Sequence, residues 1–317
     1  MVLVEKDFKD RIVGAQERIK PFAHKTPVLS SQTLNQISST ELYFKCENFQ
    51  KVGAFKFRGA CNAVMGLDDK AAEKGVATHS SGNHAQALAL AAKMRNIPAY
   101  IVMPRNAPAV KKAAVLGYGA EVIECNPTLK DREETLEKVV ERTNAHVVHP
   151  YNDERIISGQ ATTALELIKE VEDLDCLIAP VGGGGLLSGT ALSANLFGRN
   201  IKVFGAEPEG ASDAHKSFNE GHIVPSIQPN TIADGLLTSL GDKTFPIIES
   251  LVTDILLVND DEIRSSMHLI WERMKIIVEP SAAVPLAAVL KNQHIFKNLK
   301  TGVILSGGNL DLKQWKF

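Results

Sequence analysis

Helix-like and strand-like rhythms of apolar residues alternate along almost the whole chain. Residues 7–19 carry apolar positions at helical spacing, with Pro21 just beyond, and residues 42–44 read as a short strand. Strands at 76–78, 99–103 and 121–123 then take turns with helices at 85–94, 109–116 and 131–143. After Pro150 the pattern predicts a helix over 157–171, a strand at 176–179, a glycine loop and a helix over 186–196. Further strands follow at 201–206, 254–258 and 302–305. Several strands are unbroken apolar runs, which suits a parallel sheet covered by helices on both faces. The expected fold is α/β, doubly wound, with mostly parallel sheets. With 317 residues the chain exceeds the size at which single cores divide, so two lobes are expected. Residues 75–148 hold consecutive β/α units and form the expected small inserted domain, leaving 1–70 and 150–317 to a large one.

Composition narrows the function classes. A formal net charge of −2, with basic residues scattered, gives no electrostatic ground for a nucleic-acid or anionic-membrane partner. Cys46, Cys61, Cys125 and Cys176 lie far apart and form no C-x-x-C pair, so reduced, buried thiols in a cytoplasmic protein are expected. The first ten residues show no signal-peptide core, and no run of about 18 apolar residues predicts a membrane span.

Four segments carry candidate chemistry. Val181-Gly182-Gly183-Gly184-Gly185-Leu186 follows an apolar strand and opens a helix. Consecutive glycines expose backbone N–H groups, and a helix N-terminus adds positive potential, which together make a phosphate cup. A mobile turn is the plainer alternative. The spacing departs from G-x-G-x-x-G, since Leu186 stands at the middle glycine, and from the P-loop, since Thr190 replaces its lysine. A cofactor with a single phosphate remains. Lys56 lies between Phe55 and Phe57, where burial lowers an amine's pKa and readies it to attack an aldehyde. Taken alone, it reads equally as a lysine snorkelling over apolar surface. The stretch from His79 to Gln86, at a strand end entering a helix, offers N–H groups, hydroxyls and an amide to a carboxylate. There the plainer account makes Ser80 or Ser81 an N-cap. Ser306-Gly307-Gly308-Asn309 follows the last strand, at the carboxyl end where α/β ligands gather.

Together these segments resemble the fold-type II pyridoxal phosphate (PLP) enzymes, which are tryptophan synthase β-like, and within them the serine racemase and serine/threonine dehydratase family. The likeness runs from Lys25-Thr26-Pro27-Val28 to Ser306-Gly307-Gly308-Asn309. It implies that the large domain binds PLP as an imine on Lys56. Asn83 would bond the ring hydroxyl, Gly182, Gly183, Gly184, Gly185 and Leu186 would surround the phosphate, and Ser306 would face the pyridine nitrogen. Ser80, Ser81, Asn83 and His84 would hold the substrate carboxylate. Ser81 resembles the racemase branch, and the related hydroxyaspartate ammonia-lyases, where plain dehydratases tend to carry alanine; it would act on the face opposite Lys56.

The same resemblance implies a divalent-metal loop, with Glu207, Asp213 and the carbonyl of Ala211 as ligands for Mg²⁺, or Ca²⁺ or Mn²⁺. A solvated acidic turn is the alternative. ATP as an effector would match Ser31, Lys51, Gln86, Tyr118, Arg273, Lys275 and Asn309 at a homodimer interface. Arg132 matches a position that approaches substrate, and Thr238 one that varies among relatives. Ala161 stands where relatives usually carry glycine. The implied activity is serine racemisation with β-elimination to pyruvate and ammonia. The alternatives are a 3-hydroxyaspartate ammonia-lyase, a serine/threonine dehydratase without racemase activity, and, from another class, a nucleotide- or phosphate-sensing binding protein that has lost catalysis. The expected partner is a small β-hydroxy amino acid.

Overall fold

The computed structural model describes residues 2–107 and 109–314. Ten strands form two sheets. They are β1 (Val28–Leu29), β2 (Glu41–Cys46), β3 (Val76–His79), β4 (Ala99–Pro104), β5 (Glu121–Cys125), β6 (His146–Val147), β7 (Cys176–Pro180), β8 (Lys202–Pro208), β9 (Asp254–Val258) and β10 (Lys300–Leu305). The larger sheet has the order β1-β2-β10-β7-β8-β9 and the smaller β5-β4-β3-β6. Only the β1–β2 pair is antiparallel; the other pairings are parallel.

Each sheet is covered on both faces, as its apolar strands require. Strand β7 is buried along its whole length. One face of the large sheet packs against helices Asp260–Met274 and Pro280–Lys291, the other against Glu154–Glu170, Gly185–Phe197 and Phe245–Leu251. The small sheet lies between helix Asn83–Arg95 and helix Leu129–Thr143. The last of these buries only Leu136 and Val139 and points its charged residues outward.

The pattern missed several helices. Pro280–Lys291 is buried all round, so it has no polar face to betray a period, and Pro285 sits inside it. Asp260–Met274 opens with a capping box between Asn259 and Glu262, a legible signal that the spacing argument did not use.

A buried ion cluster joins the elements next to Lys56. Arg58 is fully buried and forks onto two carboxylates. Its Nε and Nη2 donate to Glu47 at 2.8 Å each, and its Nη1 and Nη2 to Glu166 at 2.7 and 2.8 Å. Lys45 Nζ donates to Glu166 at 2.7 Å and to the Thr26 carbonyl at 2.7 Å. Two cations and two carboxylates thus balance inside the protein, with helix Lys56–Met65 bolted to helix Glu154–Glu170. Removing one partner of such a group leaves a buried charge uncompensated. Glu47→Gln is expected to lower the unfolding free energy by about 3–5 kcal/mol, read from the urea midpoint at constant slope; a change within about 0.5 kcal/mol, typical of surface positions, would show that the cluster carries no stability.

Candidate active site

The predicted segments converge at the carboxyl ends of the parallel strands. The loop 80–82 follows β3, the glycines follow β7, Glu207 lies near the end of β8, and Ser306 follows β10. Lys56 opens the helix Lys56–Met65 just after the 51–53 turn. Phe55 N–H donates to the Ser306 carbonyl at 3.0 Å, and Ala54 bridges Gly307, so the lysine and serine segments are tied together by backbone.

Lys56 Nζ lies 2.8 Å from the Pro150 carbonyl oxygen and 5.1 Å from the Phe55 ring centroid. Burial pushes its pKa down to about 8, against an opposing pull from the Glu279 carboxylate. An amine in that position offers on the order of a hundredfold more neutral form near pH 7 than an ordinary lysine.

Glu279, which the sequence reading did not single out, lies in the same site. It is buried, and desolvation raises its pKa to about 7. Asn83 Nδ2 donates to its two oxygens at 3.0 and 3.2 Å, and Asn309 N–H donates to one of them at 3.2 Å. Asn309 Nδ2 donates to Asn83 Oδ1 at 2.9 Å and to the Val52 carbonyl at 2.7 Å. Asn309, expected with the nucleotide positions, therefore packs around Asn83. The one available signal for Glu279 was a lone carboxylate inside an otherwise apolar stretch ahead of Pro280.

The glycine loop is shaped for an anion. Gly184 adopts φ +87° and provides no side-chain cap for helix Gly185–Phe197, leaving its first N–H groups to another acceptor. A Cβ on Gly183 would meet the Tyr151 ring at 2.3 Å, and one on Gly184 would meet Thr244 Oγ1 at 2.8 Å. Thr244 Oγ1 fixes the loop by donating to the Gly183 carbonyl at 2.9 Å. Neither Tyr151 nor Thr244 was foreseen. Leu186 belongs to the core on one face of the large sheet, and Ser306 is buried just after β10.

The loop 80–82 corrects one plain expectation. The N-cap of helix Asn83–Arg95 is Gly82, with no side-chain cap, so neither Ser80 nor Ser81 serves there. Ser80 Oγ instead accepts from Gly82 N–H at 3.3 Å. His84 lies in the first turn of that helix. Its Nε2 lies 3.1 Å from the Val148 carbonyl and must donate to it, burial pushes its pKa down to about 3, and its Nδ1 is buried without a partner. The neutral ring thus presents an acceptor, unable to pair with a carboxylate; only the backbone N–H of His84 can do so.

Other predicted residues spread around this centre. Arg132 Nε is buried without a hydrogen-bond partner, and its Nη2 donates weakly to the Pro127 carbonyl at 3.3 Å. Its charge acts on His79, whose pKa is lowered mainly by burial. Thr238 is exposed and bonds the Tyr151 phenol. Glu207 accepts the N–H groups of Ala214 and His215 at 2.8 Å each, while both oxygens of Asp213 are buried without a hydrogen-bond partner. Burial pushes these two acids up to about 8 and about 6. Among the described residues no cluster of three or more His, Cys, Asp or Glu side chains can hold a metal, so a cation here would rest on two carboxylates and main-chain oxygen. Ala211 ends the short 3₁₀ turn between them. Of the nucleotide positions, Ser31 caps helix Gln32–Ser38, Lys51 lies over the Phe57 ring, Gln86 is buried, and Tyr118 packs on the small-sheet core. Arg273 pairs with Glu272, and Lys275 caps helix Asp260–Met274 in the left-handed conformation.

A buried lysine of depressed pKa beside a glycine cup is what an aldehyde cofactor with one phosphate needs, and residues 19–307 match the model of the pyridoxal-phosphate dependent enzyme family. The chain belongs to this family. It is 51% identical over 311 residues to the serine racemase of Dictyostelium discoideum, covering 97% of this chain and 95% of that protein. It is 50% identical over 301 residues to the beta-hydroxyaspartate dehydratase of Paracoccus denitrificans, covering 95% and 96%. The crystal structure of the Dictyostelium racemase superposes with a TM-score of 0.92 at 50% identity, covering 95% of this chain and 98% of that one. The fold is the α/β architecture of fold-type II, and the cofactor is PLP. No helix among the described residues is long and apolar enough to cross a membrane.

The depressed lysine pKa has a kinetic consequence. With PLP removed, the rate of covalent uptake of added PLP at Lys56 should rise with pH through about 8 and then level, because only the neutral amine attacks. Glu279→Gln removes the carboxylate that raises the pKa, so the midpoint should move below about 8. Borohydride trapping with intact-mass readout measures both. A rate still climbing at pH 10 would show an unperturbed lysine.

Proposed function

We propose that this protein racemises serine and also eliminates its β-hydroxyl to give pyruvate and ammonia. The carrying observation is Ser81, a hydroxyl in a loop that does not use it as a cap, in a chain so close to a serine racemase. Bound PLP supplies the electrophilic carbon and the electron sink that acidify the substrate's α-C–H. Lys56, whose pKa of about 8 provides far more neutral amine than an ordinary lysine has, takes that proton on one face, and Ser81 gives or takes one on the other. The N–H groups at the start of helix Asn83–Arg95 receive the substrate carboxylate. Asn83, held by Asn309 and Glu279, would bond the ring hydroxyl of bound PLP, and Ser306 would face its pyridine nitrogen with a hydroxyl in place of a carboxylate. For elimination, Lys56 returns the captured proton to the departing hydroxyl.

A second reading has its own observation. Arg132 carries a buried, unpartnered Nε and stands near His79, where it can meet a second carboxylate. That favours 3-hydroxyaspartate as substrate, the compound named for the Paracoccus relative. Serine/threonine dehydration without racemisation would require Ser81 to be idle. The division into a PLP-binding domain of 1–70 and 150–317 and an inserted domain of 75–148, a homodimer, a cytoplasmic setting and an ATP effect through the positions given above belong to the same proposal.

Two outcomes test the chemistry. Ser81→Ala should lower serine racemisation by roughly 10²–10⁴-fold while elimination from L-serine falls far less, both measured by product analysis on one preparation. Equal losses would remove Ser81 from its role. In the same assays, kcat/KM for threo-3-hydroxyaspartate above that for L-serine by orders of magnitude would make the second reading the function. Arg132→Ala should then reduce it about 10–100-fold more than it reduces the serine value, the worth of one charge-assisted bond.

The cation site makes a pH-dependent claim. Glu207 and Asp213 have folded pKa values above their unfolded ones, so without a cation they cost stability progressively as pH rises from about 4 to about 8. Bound Mg²⁺ offsets that cost and competes with protons. The rise in Tm on adding Mg²⁺ should therefore be larger at pH 8 than at pH 6, and Asp213→Asn should reduce it. An increment independent of pH would count against these ligands.

A further inference from the structure

One stretch of chain touches both ends of the cofactor site at several levels. The Pro150 carbonyl accepts from Lys56 Nζ, and the next residue, Tyr151, lies against Gly183 and Gly185. Further along helix Glu154–Glu170, Gly159 meets the lysine's helix so closely that a Cβ there would fall 2.6 Å from Gly59 Cα and 2.8 Å from the Arg58 carbonyl oxygen. Two residues on, Ala161 meets the helix that opens with the glycine loop; a Cβ on Gly189 would fall 2.6 Å from Ala161 N and 2.9 Å from the Ile157 carbonyl oxygen. Ser193 Oγ donates to the Ala161 carbonyl at 2.8 Å, and Gln160 Oε1 accepts from Gly59 N–H at 3.2 Å. Arg58 then locks the first crossing through its fork onto Glu166. Helix Glu154–Glu170 is therefore wedged, backbone to backbone, between the helix that starts at Lys56 and the helix that starts at the glycine loop.

We propose that the segment 150–166 is the spacer that sets the distance between the Lys56 amine and the tetraglycine loop, which makes Gly59, Gly159 and Gly189 positioning residues for the two-point hold on PLP. The inference rests on the reading that Lys56 and the glycine loop bind opposite ends of that cofactor. A ligand held covalently at one end and by its phosphate at the other gains from the second contact only if the spacing fits. Packed backbones cannot absorb an added methyl without moving apart, so a methyl at either crossing must change the spacing. Each half-site stays intact, because none of the three glycines lies within either one.

The test separates the halves chemically. The full-length protein, stripped of PLP, is titrated with PLP, with pyridoxal, which has the aldehyde and no phosphate, and with inorganic phosphate. Adducts are trapped with borohydride and located by mass, and unfolding is followed in parallel. Gly159→Ala and Gly189→Ala should weaken PLP about 10–100-fold, as misplacement by an ångström does. Affinities for pyridoxal and for phosphate should each stay within about twofold, a split that general destabilisation does not produce. Gly59→Ala meets first the Gln160 side chain, whose Nε2 is 2.5 Å away, and is the mildest of the three; it should weaken PLP at least about threefold. Replacing Gln160 by Ala in that background should restore part of the loss.

Parallel losses for PLP and pyridoxal would overturn the inference, as would unchanged PLP affinity in Gly59→Ala, which decides the matter if the two harsher variants do not fold. Failure of the unsubstituted protein to take up PLP at Lys56 would instead refute the assignment of the site itself.

Discussion

Everything at this site depends on making a buried amine easy to deprotonate while a carboxylate lies within its electrostatic reach. Burial favours neutral Lys56, and Glu279 opposes it. The opposition is blunted because Glu279 is buried too and holds its own proton up to about pH 7. Asn83 and Asn309 donate to it, so whatever charge it carries is stabilised by amides rather than by the lysine. Desolvation wins at Lys56, which leaves it near pH 8 rather than at its ordinary value. An ion pair between the two groups would have fixed the amine in its unreactive form.

The fold makes that arrangement possible by bringing strand ends together. A parallel sheet sends every strand's carboxyl end to one edge, where loops and helix N-termini meet. Here β7 delivers the glycine loop and β10 delivers Ser306, and the small sheet sends β3 to the loop carrying Ser81. The two sheets are joined at the site by side chains: Asn83, from the helix after β3, is bonded to Glu279, at the start of helix Pro280–Lys291, and to Asn309, just after β10. The buried fork of Arg58 on Glu47 and Glu166 holds the lysine's helix on the other side. Such a cluster is poor at adding net stability, since desolvation consumes most of its attraction. Its value is directional, because a guanidinium with both edges occupied permits a single arrangement of the three elements it joins.

What the sequence disclosed follows from where each residue's information lies. Lys56 and the four glycines were legible because the chemistry demands an unusual local composition: an amine between phenylalanines, and a run without Cβ atoms after an apolar strand. Most strands of both sheets were legible as short apolar runs, but the two-residue β1 and β6 were too short to show any pattern. Glu279, Tyr151 and Thr244 were not, because each acts through a contact distant in sequence: Glu279 with Asn83, Tyr151 with Gly183, Thr244 with the Gly183 carbonyl. The state of the His84 ring was hidden for a related reason: only the position of the Val148 carbonyl shows that its Nε2–H is already committed. Helix Pro280–Lys291 was hidden by its own burial, which erases the polar face that a period needs.

The choice between reversing a stereocentre and expelling a hydroxyl is made by small energies in this setting. Both outcomes begin with the same proton leaving the same carbon, so Lys56 cannot discriminate between them. On the proposed reading, discrimination falls to what stands opposite and beyond: Ser81 for return of a proton, and the surroundings of the β-substituent for its departure. A difference of about 1.4 kcal/mol between the two barriers changes the ratio tenfold, which is the scale of one ordinary hydrogen bond. On the proposed reading, the groups offered to the β-substituent would be the Tyr151 phenol with Thr238 beside it and the half-satisfied guanidinium of Arg132. On the second reading proposed above, a carboxylate on the β-carbon would meet that guanidinium with a charge-assisted bond, stronger than any a neutral hydroxyl can accept. A substrate with a second carboxylate would then gain affinity without any change in the groups that move protons. On that reading, what separates the two substrates would lie in the wall around the β-carbon and not in the acid–base pair.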